Sequence, residues 1–273
     1  MVSKAVILKI RLPLFSLRQP ESFQVSSSLP VPSPSTLVGS LAYAFAINDK
    51  LDSKTALEYV RRIVLVARAS LAEYMPIIPN PILLWRFRIL DRGIEKPKER
   101  VSPEKRFTLL NRLSMLVKED KYNEVKNLVE TKLKDALYRE YLFTFEINVI
   151  FLLREEVETK IFYYISRLGD TESLCSVHNI DIKGYNIELV KNVVTKYPFK
   201  YTNKINNIHG DFMILRQGDE YRNLSLFVIP VSRKIITTSR GSKIVVYAPS
   251  QIKVTFTDQV RTARIDNEYI ILT

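Results

Sequence analysis

A strand, a helix and a strand follow one another twice in this chain, and that order limits what it can fold into more than its length or charge does. Lys4 to Leu12 sets Val6, Leu8, Ile10 and Leu12 against Lys9 and Arg11, the period of two of a half-buried strand. A helix carrying Leu37, Leu41 and Phe45 comes next. Lys54 to Arg62 then reads as a second short helix capped by Asp52 or Ser53, and Ile63 to Ala69 as a continuous apolar strand. The order returns further along. Leu142 to Leu153 is strand-like, Glu155 to Arg167 predicts a helix with acids in its first turn and Gly169 past its end, and Ser173 to Ile180 predicts a strand. Two such units predict an α+β chain whose N-terminal domain, residues 1–181, is ferredoxin-like (RRM-like) with the order βαββαβ, a scaffold common among RNA-recognition modules.

Two further regions complete the expected organisation. Met75-Pro76-Ile77-Ile78-Pro79-Asn80-Pro81 breaks regular structure, and the charged section at about 85–140 reads as a basic, thumb-like insertion carrying Lys96, Lys98, Arg100, Lys105, Arg106 and Arg112. Its end, from Lys121 to Tyr141, has the helical spacing of Val125, Leu128, Val129, Leu133 and Leu137. From Ile182 onward no helical pattern persists, so 182–273 is a β-rich C-terminal region. Its runs include Phe212-Met213-Ile214-Leu215, Leu224 to Val231, Lys243 to Tyr247 and Ile252 to Thr257.

Between the first strand and the first helix lies a loop rich in hydroxyls and proline, Gln24-Val25-Ser26-Ser27-Ser28-Leu29-Pro30-Val31-Pro32-Ser33-Pro34-Ser35-Thr36. Its prolines favour extended backbone, and Ser35 or Thr36 is placed to cap the helix. The first turn of a helix offers free amides and a positive dipole end, which suit a phosphate; plain capping is the competing explanation. Charge adds weight to the anion. The 273 residues carry 41 Lys and Arg against 29 Asp and Glu, a formal charge of +12, which points to nucleic acid or an anionic membrane surface. Arg18, Gln19 and Phe23 beside the loop give the mixture of basic, amide and aromatic groups that such contact uses, although Phe23 fits a core equally well.

Other chemistries are poorly served. No apolar run reaches the roughly 18–20 residues that cross a bilayer, and Lys4 and Lys9 interrupt a signal peptide, so a cytoplasmic protein with no membrane partner is expected. One cysteine, Cys175, and two histidines, His178 and His209, assemble no zinc-ligand spacing, and seven scattered glycines form no phosphate-cradling loop. No metal, cofactor or catalytic residue is expected. Asp170 and Glu172 fit helix capping and a local salt bridge better than metal ligation. Cys175 and His178 alternate to opposite faces of a strand, which disfavours a nucleophile–base pair.

The loop and a second segment resemble a known family. Pro32, Pro34, Ser35, Thr36, Leu37, Gly39 and Leu41 match a Pro-Pro-Pro-Ser/Thr-Thr-Leu-x-Gly-Ala-Leu block, and Arg167, Gly169, Glu172 and Ser173 match an Arg-x-Gly-x-x-Glu-Ser signal, of the Cas-five family of CRISPR-associated proteins (RAMP proteins). The archaeal type I-A subunit is the nearest in kind, with type I-D next. The resemblance implies a non-catalytic subunit of a type I interference (Cascade) complex in antiviral defence. It would cap the five-prime handle of crRNA, pack on the Cas-seven backbone subunit and abut the large subunit, with target DNA nearby. Handle contacts are expected from Arg18, Gln24, Ser26, Ser27, Ser28, Ser35, Thr36 and Arg167, with the basic insertion gripping RNA or a neighbouring subunit. Two alternatives stand beside this one: a metal-independent endonuclease of CRISPR precursor RNA, as in the type I-C branch, and a basic scaffold that binds only protein.

Overall fold

Lys4–Arg11 forms the strand that its alternation predicts and takes an inner place in a four-stranded sheet. The order across the sheet is Val64–Leu71, Glu146–Leu153, Lys4–Arg11, Ser176–Gly184, and every neighbouring pair is antiparallel. Val6 lies opposite Phe151 on one side and Ile182 on the other. The computed structural model describes residues 4–22, 25–73, 75–87, 109–237, 239 and 241–272.

Because side chains alternate along a strand, Val6, Leu8 and Ile10 share one face with Phe151, and this face packs on helix α1 (Pro34–Asn48) through Leu37, Leu41 and Phe45. Ala5, Val66, Ile150 and Leu152 point the other way and pack with Tyr185, Tyr197, Ala263, Ile265 and Ile270. Both faces are covered, which accounts for the nearly unbroken apolar runs of Val64–Leu71 and Glu146–Leu153. Helix α2 (Ser53–Ile63) starts at Asp52, whose carboxylate accepts from the Lys54 and Thr55 N–H groups, and it buries only Ala56, Val60 and Ile63.

The helix expected over Glu155 to Arg167 shrinks to a 3₁₀ turn, Thr159–Tyr164. Glu158 at its start makes no side-chain cap, and Ile161-Phe162-Tyr163-Tyr164-Ile165 is made of β-branched and aromatic residues that lose rotamer freedom in a helix. The turn still anchors the core, with Phe162 fully buried and its ring 6.0 Å from that of Phe151.

The C-terminal residues are β-structured. Ile252–Ile265 is a long strand paired with Asn186–Thr195, Ile205–His209 and Glu268–Ile271. Met213–Gly218 and Leu224–Ile229 form a hairpin extended by Phe199–Lys200, while Val231–Thr237 and Lys243–Pro249 form another. Phe227, Ile229, Val231 and Tyr247 from these hairpins join the core built on α1.

By its contacts the chain divides into one unit of Met1–Pro81 with Glu140–Thr273 and another of Ile82–Arg139. The second unit holds α3 (Leu109–Lys118) and α4 (Tyr122–Leu128), followed by a π turn, Val129–Leu133. The helical spacing from Lys121 to Tyr141 therefore runs past the real helix end. Lys134–Phe143 is a strand that pairs with Ile78–Phe87, and that long-range ladder outweighs a local period.

Candidate nucleic-acid interface

Four segments meet around one cleft of about 620 Å³: the Ser16–Pro20 stretch, the N-terminus of α1, the Ser166–Asp170 stretch, and the hairpin at Gln217–Leu224. Ser33 is the N-cap of α1, in place of the expected Ser35 or Thr36, and Pro34 stands at the first helical position, where its missing N–H costs nothing. The Ser33 hydroxyl accepts from the Thr36 N–H at 3.3 Å and lies 2.9 Å from both the Ser35 and Thr36 hydroxyls. One serine thus ties the first turn together, and Ser35 and Thr36 line the cleft beside it.

The second wall depends on close backbone packing. Gly169 has φ +122°, and a Cβ there would lie 2.9 Å from the Ser16 carbonyl oxygen and 3.1 Å from the Ser173 hydroxyl. In return the Ser16 N–H donates to Ser173 Oγ at 3.1 Å, and the Asp170 N–H donates to the Ser16 carbonyl at 3.3 Å. These contacts place Arg167 and Arg18 on the same cleft. Both are exposed, and Arg18 donates to the Ser22 carbonyl at 3.3 Å.

The third wall is held by Asp219, 4% exposed at the hairpin turn. Its carboxylate accepts from the Tyr221 and Asn223 N–H groups at 2.9 Å and from the Lys200 ammonium at 2.9 Å. Burial pushes this carboxyl up, but Lys200 and the two amides outweigh it, and its pKa lies below the ordinary aspartate value. Glu220 pairs with Arg68, which is 1% exposed beside the Phe227 ring, and also accepts from the Ala67 N–H at 3.2 Å. So anchored, the turn carries Arg222 at φ +69° to the cleft. Gly218 packs directly on α1, because a Cβ there would lie 2.6 Å from Ser35 Oγ. Arg18, Arg167 and Arg222 make no ion pair among the described residues, and with Asp170 the one carboxylate in the lining the cleft carries a net positive charge.

The two blocks that carry the sequence resemblance are thus neighbours in space. The family described as CRISPR-associated protein (Cas_Cas5) matches residues 5–167, more than half of the chain. The chain belongs to this Cas5 family. A CRISPR-associated protein Cas5 from Thermoproteus tenax is 25% identical over 229 residues, covering 82% of this chain and 84% of that protein. Another, from Methanocaldococcus jannaschii, is 28% identical over 192 residues, covering 65% of this chain and 63% of the relative. A crystal structure of a CRISPR protein from Archaeoglobus fulgidus is 17% identical and covers 98% of both chains with a TM-score of 0.54, a likeness of fold.

Of the handle residues expected for this Cas5 chain, Arg18, Ser35, Thr36 and Arg167 are brought to the cleft. Ser28 is fully buried and works inside the loop: its hydroxyl accepts from the Leu17 N–H at 2.9 Å and donates to the Leu29 carbonyl at 3.2 Å, while its N–H donates to Glu140 at 2.8 Å. Ser27 serves through its carbonyl, which accepts from the Gln19 N–H at 2.9 Å. Ser26 lies in the short strand Val25–Ser26, and Gln24 lies outside the described residues. So do Lys96, Lys98, Arg100, Lys105 and Arg106; Arg112 is exposed on α3.

The sequence reading missed Tyr43, Gln217, Gly218 and Arg222, all of which line the cleft. Gly218-Asp219 is a turn signal, but nothing local says that this turn docks on α1. Neither histidine lines the cleft: His178 lies 3.0 Å from Glu146, and His209 is 2.9 Å from the Asn207 amide. Cys175 is pushed up to about 12 by burial, a poor nucleophile. Among the described residues no group of three or more His, Cys, Asp or Glu could hold a metal, and no helix is long and apolar enough to cross a membrane.

Proposed function

We propose that this chain is the non-catalytic RNA-binding subunit of a type I CRISPR interference (Cascade) complex, and that the cleft caps the five-prime handle of crRNA. One observation carries the reading: both family blocks converge on a single cleft lined by three guanidiniums and one carboxylate, Asp170, beside a helix N-terminus. Guanidiniums and the Ser35 and Thr36 hydroxyls bind backbone phosphates, while Tyr43, 52% exposed at the cleft, offers a stacking face for a base. The antiparallel order Val64–Leu71, Glu146–Leu153, Lys4–Arg11, Ser176–Gly184 supports a ferredoxin-like N-terminal half. In the complex the chain packs on the backbone subunit and abuts the large subunit in the cytoplasm.

The test is affinity for repeat-derived five-prime handle RNA, measured by fluorescence anisotropy across a salt series. Arg18→Ala, Arg167→Ala and Arg222→Ala each weaken binding, and each lowers the log–log salt slope by about 0.7 per lost phosphate contact. Unchanged affinity and slope in all three would overturn the reading. Incubated with full repeat RNA in chelator, the protein leaves the RNA intact; cleavage there would favour the endonuclease.

A further inference from the structure

Gln217 is the odd residue of the cleft. It belongs to Met213–Gly218, where Met213 and Leu215, four and two residues earlier on the same strand face, pack against the apolar core. The alternation therefore calls for an apolar side chain at 217, and the chain has an amide there instead. Gln217 is fully buried, it lines the cleft, and neither its Oε1 nor its Nε2 meets a partner among the described residues. Ser16 is likewise fully buried on the same cleft with an unpartnered hydroxyl. A buried amide with both ends unpaired costs folding free energy that a leucine would not, so its presence needs a compensating gain.

The surroundings say what supplies that gain. Gly218, the next residue, brings the backbone of the strand against Ser35 at the start of α1, and Gln217 lines the cleft onto which this helix start opens. Arg18, Arg167 and Arg222 surround the same space, and Tyr43 adds an aromatic face to it. A primary amide presents a donor and an acceptor side by side, the complement of a nucleobase edge that does the same, as adenine does at N6 and N7. We infer that Gln217 reads the edge of one unstacked base held in the cleft, and that it is the residue that makes binding there depend on base identity.

This inference rests on the RNA reading above, and an abasic scan separates the two. Handle RNAs with one base removed at a time are titrated against the full wild-type chain and against Gln217→Leu. In wild type one position loses about 5- to 150-fold in affinity when its base is removed. In Gln217→Leu that same removal costs measurably less, only the stacking share being left to lose, while the salt slope stays as in wild type. The variant also melts at a higher temperature than wild type without RNA, since an unpaired amide has been replaced by an apolar group. If Gln217→Leu does not fold, Gln217→Met, unbranched and of similar length, serves for the same comparison. Abasic penalties equal in wild type and variant, with normal salt-dependent binding, overturn the assignment of Gln217 and leave the RNA site standing. Failure of wild type to bind the RNA at all overturns both.

Discussion

Replacing Gly169 by alanine tests the joint on which the cleft depends. At φ +122° the backbone is in a region that side chains disfavour, a strain of about 1–3 kcal/mol. The added methyl would also lie 2.9 Å from the Ser16 carbonyl, 3.0 Å from Leu17 Cδ2 and 3.1 Å from Ser173 Oγ, and overpacking of this kind costs a further ~1–3 kcal/mol. Gly169→Ala is therefore expected to lose about 2–6 kcal/mol, a fall in Tm of roughly 5–20 °C for a chain of this size. The nearest atom is a backbone oxygen, so trimming Leu17 or Ser173 to alanine does not restore the loss. Gly39→Ala is the control. Nothing lies within 4 Å of a Cβ there, and in the middle of α1 the change is expected to add about 0.5–1 kcal/mol. Urea and thermal unfolding of the two variants decide the matter. A Gly169→Ala protein within about 0.5 kcal/mol of wild type would refute the account of how Ser16, Arg167 and Ser173 are held together.

Three other outcomes follow from the same geometry. Ser28→Ala leaves the Leu17 N–H without its acceptor and costs about 1–3 kcal/mol in urea unfolding, with the salt slope for handle RNA unchanged. The Asp219 carboxyl is held below its ordinary value, so its contribution is fully present above about pH 4 and is lost as pH falls through the lowered folded value; a pH series of unfolding should show a steeper acid loss in wild type than in Asp219→Asn. Glu220→Ala strands the buried Arg68 and is expected to cost about 3–5 kcal/mol, whereas Glu220→Ala combined with Arg68→Met costs much less, a difference that a double-mutant cycle reads directly.

Legibility from sequence divided along physical lines. Where a pattern is local and one face is buried, as in Lys4–Arg11 and α2 with its Asp52 cap, period and capping residue place the element within a residue or two. Where distant pairing decides, the reading strays. Lys134–Phe143 has helical spacing but is a strand, because Ile78–Phe87 is there to pair with it. Four of the eight residues expected at the handle line the cleft. Arg18, Ser35, Thr36 and Arg167 sit in motifs with their own local signals, whereas Gln217 and Arg222 look like ordinary hairpin residues until the hairpin is docked on α1.

The cleft also has a place in time. Its walls draw on residues from Ser16 to Leu224, a span of about 200 positions, which a ribosome takes roughly 10–40 s to cover at typical elongation speeds. A growing chain that has already made α1 still lacks Gln217, Gly218 and Arg222, and so has only a partial site. All the walls of the cleft are therefore present only once synthesis has passed Leu224.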